Sequence, residues 1–591
     1  MAPIDLFFPL SRMKDKKRLN NRLIFILSVA LSICVFFILL PLLRLDYDGH
    51  HDGVMLASAI ANRDGHAVHS EVFAQYGPIS VWIHSFFLIF NTPPAITLRV
   101  VTGITIAMTF FFIADLGRFT RKALGLTSSV TISAALAWII VSDAFNWVTL
   151  LPWSSTLAQL LIVVGLYLVL GANGASTQVR GLSFRNQAIW GGLIWSLLPF
   201  TRVNVGVALL PALVLIWAIS EIKISNARHS LRSIMLGICL GLISVVLILI
   251  FTNSFTQWWS QAVVWPSQWN ASLNTGTGMF LKLKFMYSNM FSQMVWGFLL
   301  LAILFVFNKS SFRWKFFLQT CVISIFTVFA VKYFSSSAPQ IWSAAPLPQS
   351  LQSIANMRVS LLGFLFWSGL SVSVLTGLSI LFAIYWKESD DEGIMLLLFI
   401  AVSISGTVQI VPVSDSRHFW WGMPLVILVL FRQVSKLLNH SLVSSLILFT
   451  PLIFASVFAI SLTKENLAQP RRAAPIGSVA QGMMLKTSLN DGVSQSTRYL
   501  QNFTALSRWI GSDQSIIFLV RDGDLSVFDT TYHSIDENFV IWGPVMDFES
   551  RVVNATGVVL DLDYVSAFQP VLLDLGFSQV ATTEAISIWK R

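Results

Sequence analysis

The feature that most constrains this chain is a series of long apolar segments that recurs through residues 23–462. The first runs from Leu23 to Leu43 and has about 20 residues, the length that a helix needs to cross a bilayer. Further apolar segments lie at 95–116, 127–142, 153–171, 188–201, 204–220, 233–252, 286–307, 314–332, 359–386, 394–411, 419–432 and 441–462. This pattern predicts an α-helical polytopic membrane protein with about thirteen transmembrane helices.

The composition supports a membrane protein and argues against a nucleic-acid partner. Of the 591 residues, 55% are hydrophobic and 12% are charged, and the mean hydropathy is +0.70. These values lie outside the range of soluble globular domains. The formal net charge of +10 comes from short Lys and Arg clusters between apolar segments, not from a basic face or tract. Such placement is a signal of membrane topology.

The basic clusters predict which side of the membrane each loop occupies. They alternate along the chain, at 12–22, 118–122, 180–185, 223–232 and 309–315, and again near 387 and 432–436. Cytoplasmic loops carry an excess of Lys and Arg. We therefore expect a cytoplasmic N-terminal segment at 1–22 and a first outer loop at 44–94, in a multi-pass protein of the plasma or inner membrane.

Two apolar stretches need separate treatment. Residues 77–90 are too short to span comfortably, so we expect an interfacial or re-entrant helix there. Residues 188–220 carry Arg202 and Asn204 near the middle and have basic loops at both ends. We therefore predict two short spans that are joined by an outward turn.

The chain changes character after the last apolar segment. A polar linker, "TKENLAQPRRAAPIGS", leads into a region in which "STRYLQNFTALSRWI" has helical spacing. The segments "SIIFLV", "GVVLDL" and "AISIWK" have the composition of short buried strands. The sequence therefore predicts a transmembrane module at 23–462 and a soluble α/β domain at 463–591. An odd number of spans would place this domain outside the cytoplasm.

The first outer loop opens with a dense group of ionisable residues. Asp46, Asp48, His50, His51 and Asp52 lie within seven positions, directly after the first apolar segment. Desolvated ionisable groups are costly unless they are paired or used. The carboxylates could take a proton from an attacking hydroxyl, or Asp48, Asp52 and His51 could ligate a divalent ion such as Mg²⁺ or Mn²⁺. A solvated turn with Asp52 as helix cap is the simpler alternative.

Polar residues at the outer ends of other spans are candidates for substrate binding. An Arg fork binds phosphate oxygens in pairs while its stem lies along apolar surface. Arg417 is the best phosphate candidate because it adjoins His418 between two apolar segments, and Arg202 is the second. Each could instead be an interfacial anchor. The predicted substrate-binding set is His50, His51, Tyr76, Asp143, Arg202, Arg417 and His418, with Asp143 and Asp415 as alternative bases.

The first outer loop resembles that of the GT-C fold glycosyltransferases, which use lipid-linked sugars. This group includes the protein mannosyltransferases and the aminoarabinose transferase type. The likeness lies in an acidic opening, an amphipathic helix, the spacing of Ala59 and Gly65, and "QYGPISVW" at 75–82. Those proteins carry D-E-x-H or D-E-G-x-Y in this loop, which "DGHHDG" at 48–53 matches in part. The order of the predicted segments resembles that of these proteins along the whole chain. The likeness in motif covers about 40 residues.

The resemblance implies an inverting transfer of a hexosyl or pentosyl group from a polyprenyl-phosphate donor. The acceptor would be a hydroxyl of a glycan, lipid or protein outside the cytoplasm, as in the assembly of cell-envelope polysaccharide. We expect Asp48 to be the base, Asp52 its partner or a metal ligand, and Asp46 a further catalytic candidate. Arg202 and Arg417 would bind the departing phosphate.

Two other classes of function fit part of the pattern. A secondary transporter or flippase of a lipid-linked or polar solute would also have many spans. Such proteins place charges near the midplane and contain internal repeats, whereas the ionisable residues here gather at the outer rim. A polysaccharide polymerase or ligase without the GT-C fold would also place Arg and His in outer loops. Both remain alternatives at the level of the sequence.

Overall fold

A computed structural model describes most of the chain. The described residues are 10–90, 92–142, 150–173, 184–223, 227–266, 349–386, 391–410, 416–437, 456–457, 460–461, 463–464, 467–487, 494–510, 516–520, 522–531, 533, 549 and 552–591. The predicted spans at 286–307 and 314–332, and most of the one at 441–462, lie outside these residues. So do Asp143 and Asp415.

The described membrane part is a bundle of helices, most of which coincide with predicted apolar segments. Its helices are α1 (Leu10–Leu39), α2 (His51–Arg63), α3 (Pro78–Leu88), α4 (Pro94–Asp115), α5 (Gly117–Leu124), α6 (Ser128–Ile140), α7 (Ser154–Asn173), α8 (Phe184–Ser196), α9 (Val203–Ile222), α10 (Ala227–Phe251), α11 (Phe255–Trp259), α12 (Gln349–Trp386), α13 (Asp391–Thr407), α14 (Ser416–Gly422) and α15 (Pro424–Leu437). Of these, α2, α5 and α11 lie between the predicted apolar segments. Seven of the helical segments are long and apolar enough to cross a membrane. The chain is an α-helical polytopic membrane protein, although the predicted number of thirteen spans is not confirmed.

The two ambiguous stretches have separate outcomes. Helix α3 has 11 residues and is among the shorter apolar helices, so the predicted short helix is present. Between α8 and α9 the backbone leaves the helical conformation, with Arg202 in an extended conformation at φ −149°. The structure thus has two helices with a break between them over 188–220, while the predicted spanning of both and the outward direction of the turn stay predictions.

The bundle interior is mainly apolar, and a pair of buried tryptophans joins two of its helices. Trp138 of α6 and Trp420 of α14 stack with ring centroids 5.2 Å apart. Each indole N–H donates to the other residue's carbonyl oxygen, at 3.2 and 3.0 Å. Buried Trp requires such a partner for its N–H group. This reciprocal pair joins α6 to α14, and α14 carries His418 of the predicted site.

The C-terminal region is a small α/β domain. It contains β1 (Arg471–Ala473), β2 (Met484–Lys486), α16 (Gln495–Trp509), β3 (Ile516–Leu519), β4 (Gly557–Asp561), α17 (Val565–Asp574), β5 (Ser578–Thr582) and β6 (Ile586–Lys590). Strands β1 and β2 form an antiparallel hairpin, and the other four form a sheet in the order β3-β4-β6-β5. The β3-β4 pair is parallel and the other pairs of this sheet are antiparallel.

The predicted helix and all three predicted strands of this domain are confirmed, as α16, β3, β4 and β6. The sequence did not reveal β5, because it is a polar edge strand, "SQVAT", with mostly exposed side chains. The β1-β2 hairpin was also missed. It lies within and just after the stretch predicted to be a linker, and it contacts the membrane module directly.

Candidate active site

The C-terminal domain packs on the first outer loop and fixes its backbone. The backbone N–H of Asp46 donates to the carbonyl oxygen of Met484, at 3.0 Å. The Asp46 carboxylate accepts hydrogen bonds from Arg471 Nε and Nη2, at 3.0 and 3.1 Å, and lies 3.4 Å from Lys486 Nζ. Asp46 has a φ of +56°, a conformation that Asp tolerates better than most residues. Its buried carboxylate therefore ties the loop to the β1-β2 hairpin.

Asp52 forms a buried ion pair at the start of α2. Its Oδ1 accepts a hydrogen bond from Arg99 Nε at 2.8 Å, and its Oδ2 accepts one from Arg99 Nη2 at 2.5 Å. Oδ2 also accepts the backbone N–H of Asp48, at 2.9 Å. Burial raises the pKa of Asp52, while the charge and hydrogen bonds of Arg99 oppose that shift. Both carboxylate oxygens are engaged, so Asp52 joins α2 to α4 and holds the backbone of Asp48.

Asp48 differs from Asp46 and Asp52 because its side chain is 31% exposed. Its Oδ1 accepts the backbone N–H of His51 at 2.9 Å, and its Oδ2 lies 2.8 Å from His51 Nδ1. Burial acts to raise the pKa of Asp48, but the hydrogen bonds and charge of His51 outweigh it and hold the pKa well below its usual range. Asp48 is therefore an ionised carboxylate with access to solvent, the state that a proton acceptor requires.

Trp153 lies at the centre of the aromatic residues beside Asp48. Its ring centroid is 5.1 Å from that of His51 and 6.3 Å from that of Tyr76. On the side of α14 it is 5.9 Å from His418 and 4.9 Å from Trp421. We call these five residues the Trp153 group. It brings together three predicted site residues, His51, Tyr76 and His418, that are far apart in the sequence.

Arg202 extends this group on the side of Tyr76. Its guanidinium carbon lies 4.8 Å from the Tyr76 ring centroid, which is a cation-π distance. The side chain is 6% exposed, and its Nη1 is buried without a hydrogen-bond partner among the described residues. Buried polar groups are almost always hydrogen-bonded in proteins. Arg202 therefore retains donor capacity next to the Trp153 group.

The remaining predicted residues fall into three situations. The His50 ring packs edge to face on His51, with centroids 4.8 Å apart. Arg417 is half-buried on α14 beside His418, which itself packs on Trp153. Asp143 lies outside the described residues. His50 therefore contacts the Trp153 group directly, through the ring of His51. Arg417 is next to the group only because it precedes His418 in the chain.

The predicted metal site at Asp48, Asp52 and His51 does not fit the geometry. Both oxygens of Asp52 bind Arg99, and His51 Nδ1 faces Asp48 instead of sharing a centre with it. A guanidinium pair at 2.5 to 2.8 Å competes with a cation for the same lone pairs. Across the described part of the chain, no group of three His, Cys, Asp or Glu residues could hold a metal ion. A metal ion at Asp48, Asp52 and His51 therefore stays a prediction that this geometry does not support.

Two residues of the site were missed from the sequence. Trp153 precedes α7 in "LLPWSS", where it looked like any aromatic residue near a membrane interface. Asp524 belongs to a short 3₁₀ turn, Gly523–Val527, that packs on α2. It follows the C-terminal end of the parallel strand β3, and ligand-binding residues often lie at that end of parallel strands. The acidic "RDGD" after "SIIFLV" was therefore an available signal.

Several solved structures have a similar arrangement of the chain. ArnT from Cupriavidus metallidurans bound to undecaprenyl phosphate is 11% identical, with a TM-score of 0.46 over 95% of this chain and 97% of that one. Its apo state is 13% identical, with a TM-score of 0.42 over the same shares. The oligosaccharyltransferase of Archaeoglobus fulgidus in complex with Zn and sulfate is 9% identical, with a TM-score of 0.48 over 93% of this chain and 69% of that one.

At TM-scores below 0.5 these likenesses do not assign a residue role or a substrate to this chain. No protein-family profile matches the sequence, and a search of curated proteins gives no match.

Proposed function

We propose that this protein is a membrane glycosyltransferase of the GT-C type. It moves a sugar from a polyprenyl-phosphate donor to an acceptor hydroxyl on the extracytoplasmic side, with inversion at the anomeric carbon. The observation that carries the proposal is the placement of Asp48. An ionised, accessible carboxylate adjoins the Trp153 group, which leads to the spare donor of Arg202. The base Asp48, the stacking surface of the Trp153 group and the phosphate-binding Arg202 are therefore neighbours in space.

Asp48 serves as the general base in this proposal. The acceptor oxygen attacks the anomeric carbon of the donor sugar, and Asp48 takes the proton of that hydroxyl. The bond between the anomeric carbon and the phosphate oxygen breaks, and polyprenyl phosphate leaves with the electron pair. Attack opposite the leaving group inverts the configuration. His51 keeps the Asp48 carboxylate in one orientation through its backbone N–H and ring.

Arg202 and Arg417 bind the departing phosphate. An arginine stays charged at any physiological pH, and its fork matches two phosphate oxygens. Negative charge on the leaving phosphate grows as the glycosidic bond breaks, so a preplaced guanidinium favours the transition state over the bound donor. Tyr76 orients Arg202 through the cation-π contact. The apolar tail of the donor would lie among the surrounding helices.

Trp153 and its neighbours provide the surface for the sugar. Aromatic rings pack well on the apolar faces of sugars because both surfaces are flat and weakly polar. Hexosyl and pentosyl donors both present such faces. The acceptor is proposed to be a glycan, lipid or protein hydroxyl. No metal-dependent step is included, since the ligand set does not fit a cation.

The proposed topology follows from the same placement. The N-terminal segment 1–22 is cytoplasmic, and the transmembrane module 23–462 carries the first outer loop, 44–94, on the opposite side. The domain at 463–591 is extracytoplasmic, because its β1-β2 hairpin binds Asp46 of that loop. Asp46 and the hairpin must therefore lie on one side of the membrane.

The direct test is an assay for consumption of a lipid-linked sugar. Membranes or proteoliposomes that contain the protein are incubated with polyprenyl-phosphate sugars of several kinds. We expect release of polyprenyl phosphate together with a glycosylated acceptor. Transport of the intact donor across sealed vesicles, with no cleavage of the glycosidic bond, would instead support the flippase alternative.

Orientation is checked in the same sealed vesicles with an impermeant thiol reagent. In a background without native cysteines, Glu71→Cys carries an exposed thiol in the first outer loop. His229→Cys carries one at the start of α10, in a predicted cytoplasmic loop. Right-side-out vesicles should label the first variant and not the second. The reverse result would put the candidate site in the cytoplasm and remove the proposal.

A further inference from the structure

The contact between the C-terminal domain and α2 is unusually close. An added Cβ at Gly53 would lie 2.2 Å from the backbone nitrogen of Asp524. An added Cβ at Gly49 would lie 2.8 Å from Asp524 Oδ1. No side chain fits in either space, so the two glycines permit the 3₁₀ turn of the domain to rest directly on the loop backbone. Asp48 is the residue immediately before Gly49.

Asp524 lies within this contact as a buried carboxyl group. Its side chain is 3% exposed, and its Oδ1 has no hydrogen-bond partner among the described residues. Its backbone N–H points to the carbonyl oxygen of Gly49, 3.4 Å away. The Tyr47 side chain faces it from the other side, packed edge to face on Tyr499 of α16 with centroids 5.6 Å apart. Asp524 thus touches the segment on both sides of Asp48.

We propose that Asp524 is a positioning residue, through which the C-terminal domain holds the Tyr47–Gly49 segment and so sets the direction of the Asp48 carboxylate. This inference rests on the proposed function, because Asp48 is the group being positioned. Two other contacts of the domain act on the same segment. Gln495 donates to the carbonyl oxygen of Tyr47, and Arg471 binds Asp46. Asp524 is the one of these three whose side chain lies directly beneath the backbone next to Asp48.

The surroundings of Asp524 favour the neutral acid. The ionisable groups that face it are Asp522 on its own turn, Asp48 and Asp52 on the loop, and Tyr47. Tyr499 faces it from α16. Burial, and next the charge of Asp522, raise the pKa of Asp524 well above its usual value. No ion pair to a Lys, Arg or His reaches Asp524 within the described ranges. Ionisation would therefore add repulsion against the two carboxylates of the loop.

Three variants separate positioning from general structural support. Asp524→Ala removes the carboxyl group, and Asp524→Asn keeps the shape and hydrogen-bonding capacity of the neutral acid. Asp522→Ala is the matched control, because that neighbouring carboxyl is partly exposed and pairs with Arg498 at 3.5 Å. All three are made in the full-length protein. Thermal unfolding of each purified variant shows whether it is folded.

We expect Asp524→Ala to lower kcat by about 10-fold to 100-fold with little change in the KM for the lipid-linked donor, since small misplacements of a catalytic group are costly. Asp524→Asn should recover most of that loss. In the wild type, turnover should fall at alkaline pH as Asp524 ionises, and Asp524→Asn should lack this fall. Asp522→Ala should keep the kcat and KM of the wild type near neutral pH, but its alkaline fall should begin at a lower pH, because the charge of Asp522 raises the pKa of Asp524. Rescue by Asn and a changed pH profile are results that a purely structural role does not produce.

Hydrogen exchange of the loop gives a readout that is independent of activity. Amide exchange across 45–53 should be faster in Asp524→Ala than in the wild type or in Asp522→Ala. If Asp524→Ala keeps full turnover and normal exchange, the positioning role is wrong, whatever the function. If exchange changes as expected but neither the wild type nor any variant consumes a lipid-linked sugar, Asp524 still positions the loop. The proposed transferase function is then wrong.

Discussion

The two ends of helix α4 carry similar buried charges in different surroundings. The helix has 22 residues, so its ends lie about 30 Å apart, roughly a bilayer core. The proposed topology places the N-terminal end outside the cytoplasm, and we call it the outer end and the opposite one the inner end. At the outer end Arg99 binds Asp52. At the inner end the Asp115 carboxylate accepts hydrogen bonds from Arg118 Nε, at 2.9 and 3.0 Å, and from the Tyr167 hydroxyl, at 2.6 Å. Each end therefore has a buried carboxylate bound by an arginine.

The difference lies in what remains around each pair. At the inner end the buried Asp115 carboxylate accepts hydrogen bonds from both Arg118 and Tyr167, and Arg118 also donates to the Tyr167 hydroxyl. At the outer end the closed Arg99–Asp52 pair is surrounded by Asp48, which is accessible, and by Asp524, which has an unpaired oxygen. A buried ion pair is weak evidence for function or for stability. The better candidates for function are the ionisable groups outside the ion pairs, which here are Asp48 and Asp524.

The largest expected effect separates Asp48 from the paired carboxylates. Asp48→Asn keeps the size of the side chain and removes the proton acceptor, so we expect turnover to fall by about 100-fold to 10,000-fold. Binding of the donor should survive, because its phosphate is held by arginines. Turnover and donor affinity are measured on the purified protein in proteoliposomes.

Asp64→Asn is the matched control for Asp48→Asn. Asp64 lies on the same outer loop, is 30% exposed and pairs with Arg63 at 2.8 Å. Its replacement should leave turnover within about twofold, as for most surface substitutions. Near-normal turnover in a folded Asp48→Asn protein would leave the acidic group with a structural role only. The base would then have to be another residue, with Asp143 and Asp415 the first to examine.

The second prediction compares the two ends of α4 directly. Removing one partner of a buried ion pair leaves the other unpaired and costs about 3–5 kcal/mol. Asp52→Asn and Asp115→Asn should therefore both lower the free energy of unfolding, Asp115→Asn by the smaller amount because Arg118 is 19% exposed and can reach solvent. Thermal unfolding in detergent measures this loss.

Turnover should then distinguish the two variants. Asp52 Oδ2 binds the backbone of Asp48, so the folded fraction of Asp52→Asn should also lose activity. The folded fraction of Asp115→Asn should retain it, because the inner pair does not contact the outer loop. Equal activity per folded molecule in both variants would show that Asp52 has no more influence on the site than Asp115 has.

The architecture was predictable because it depends on local patterns. Apolar segments of span length, the helix at 495–509 and three buried strands all follow from periodicity and composition. The strands β1, β2 and β5 lack such a pattern, since β1 and β5 are mostly exposed and β2 has only three residues. The number of spans cannot be compared along the whole chain, as two predicted segments lie outside the described residues.

Several residues of the candidate site could be predicted from the sequence, but the role of each carboxylate could not. His51, Tyr76, Arg202 and His418 were chosen for their chemistry, and the fold brings them to the Trp153 group. Asp46, Asp48 and Asp52 look equivalent in sequence, yet the carboxylates of Asp46 and Asp52 are each bound by an arginine. Those partners, Arg471 and Arg99, lie 425 and 47 positions away, respectively. Only long-range packing reveals which carboxylate of the three keeps an open face.

The smallest expected effect concerns the arginine of the proposed phosphate site. Arg202→Lys keeps the positive charge but loses the planar fork and its fit to two phosphate oxygens. We expect a loss of about 1–3 kcal/mol in transition-state stabilisation, on the scale of charge-assisted hydrogen bonds. The loss should appear in kcat/KM for the lipid-linked donor and should be larger than that of Tyr76→Phe, which keeps the aromatic ring under Arg202.

Arg118→Lys provides the comparison at the inner end of α4. Its Nε and Nη2 donate to the Asp115 carboxylate, and Nη2 also donates to the Tyr167 hydroxyl, so this change should lower stability without altering kcat/KM of the folded protein. If the Arg202→Lys protein folds normally and keeps its kcat/KM, Arg202 has only a structural role at the membrane boundary, like that of Arg118. Arg417, half-buried on α14, would then be the next residue to test as the phosphate-binding group by the same substitution and the same assay.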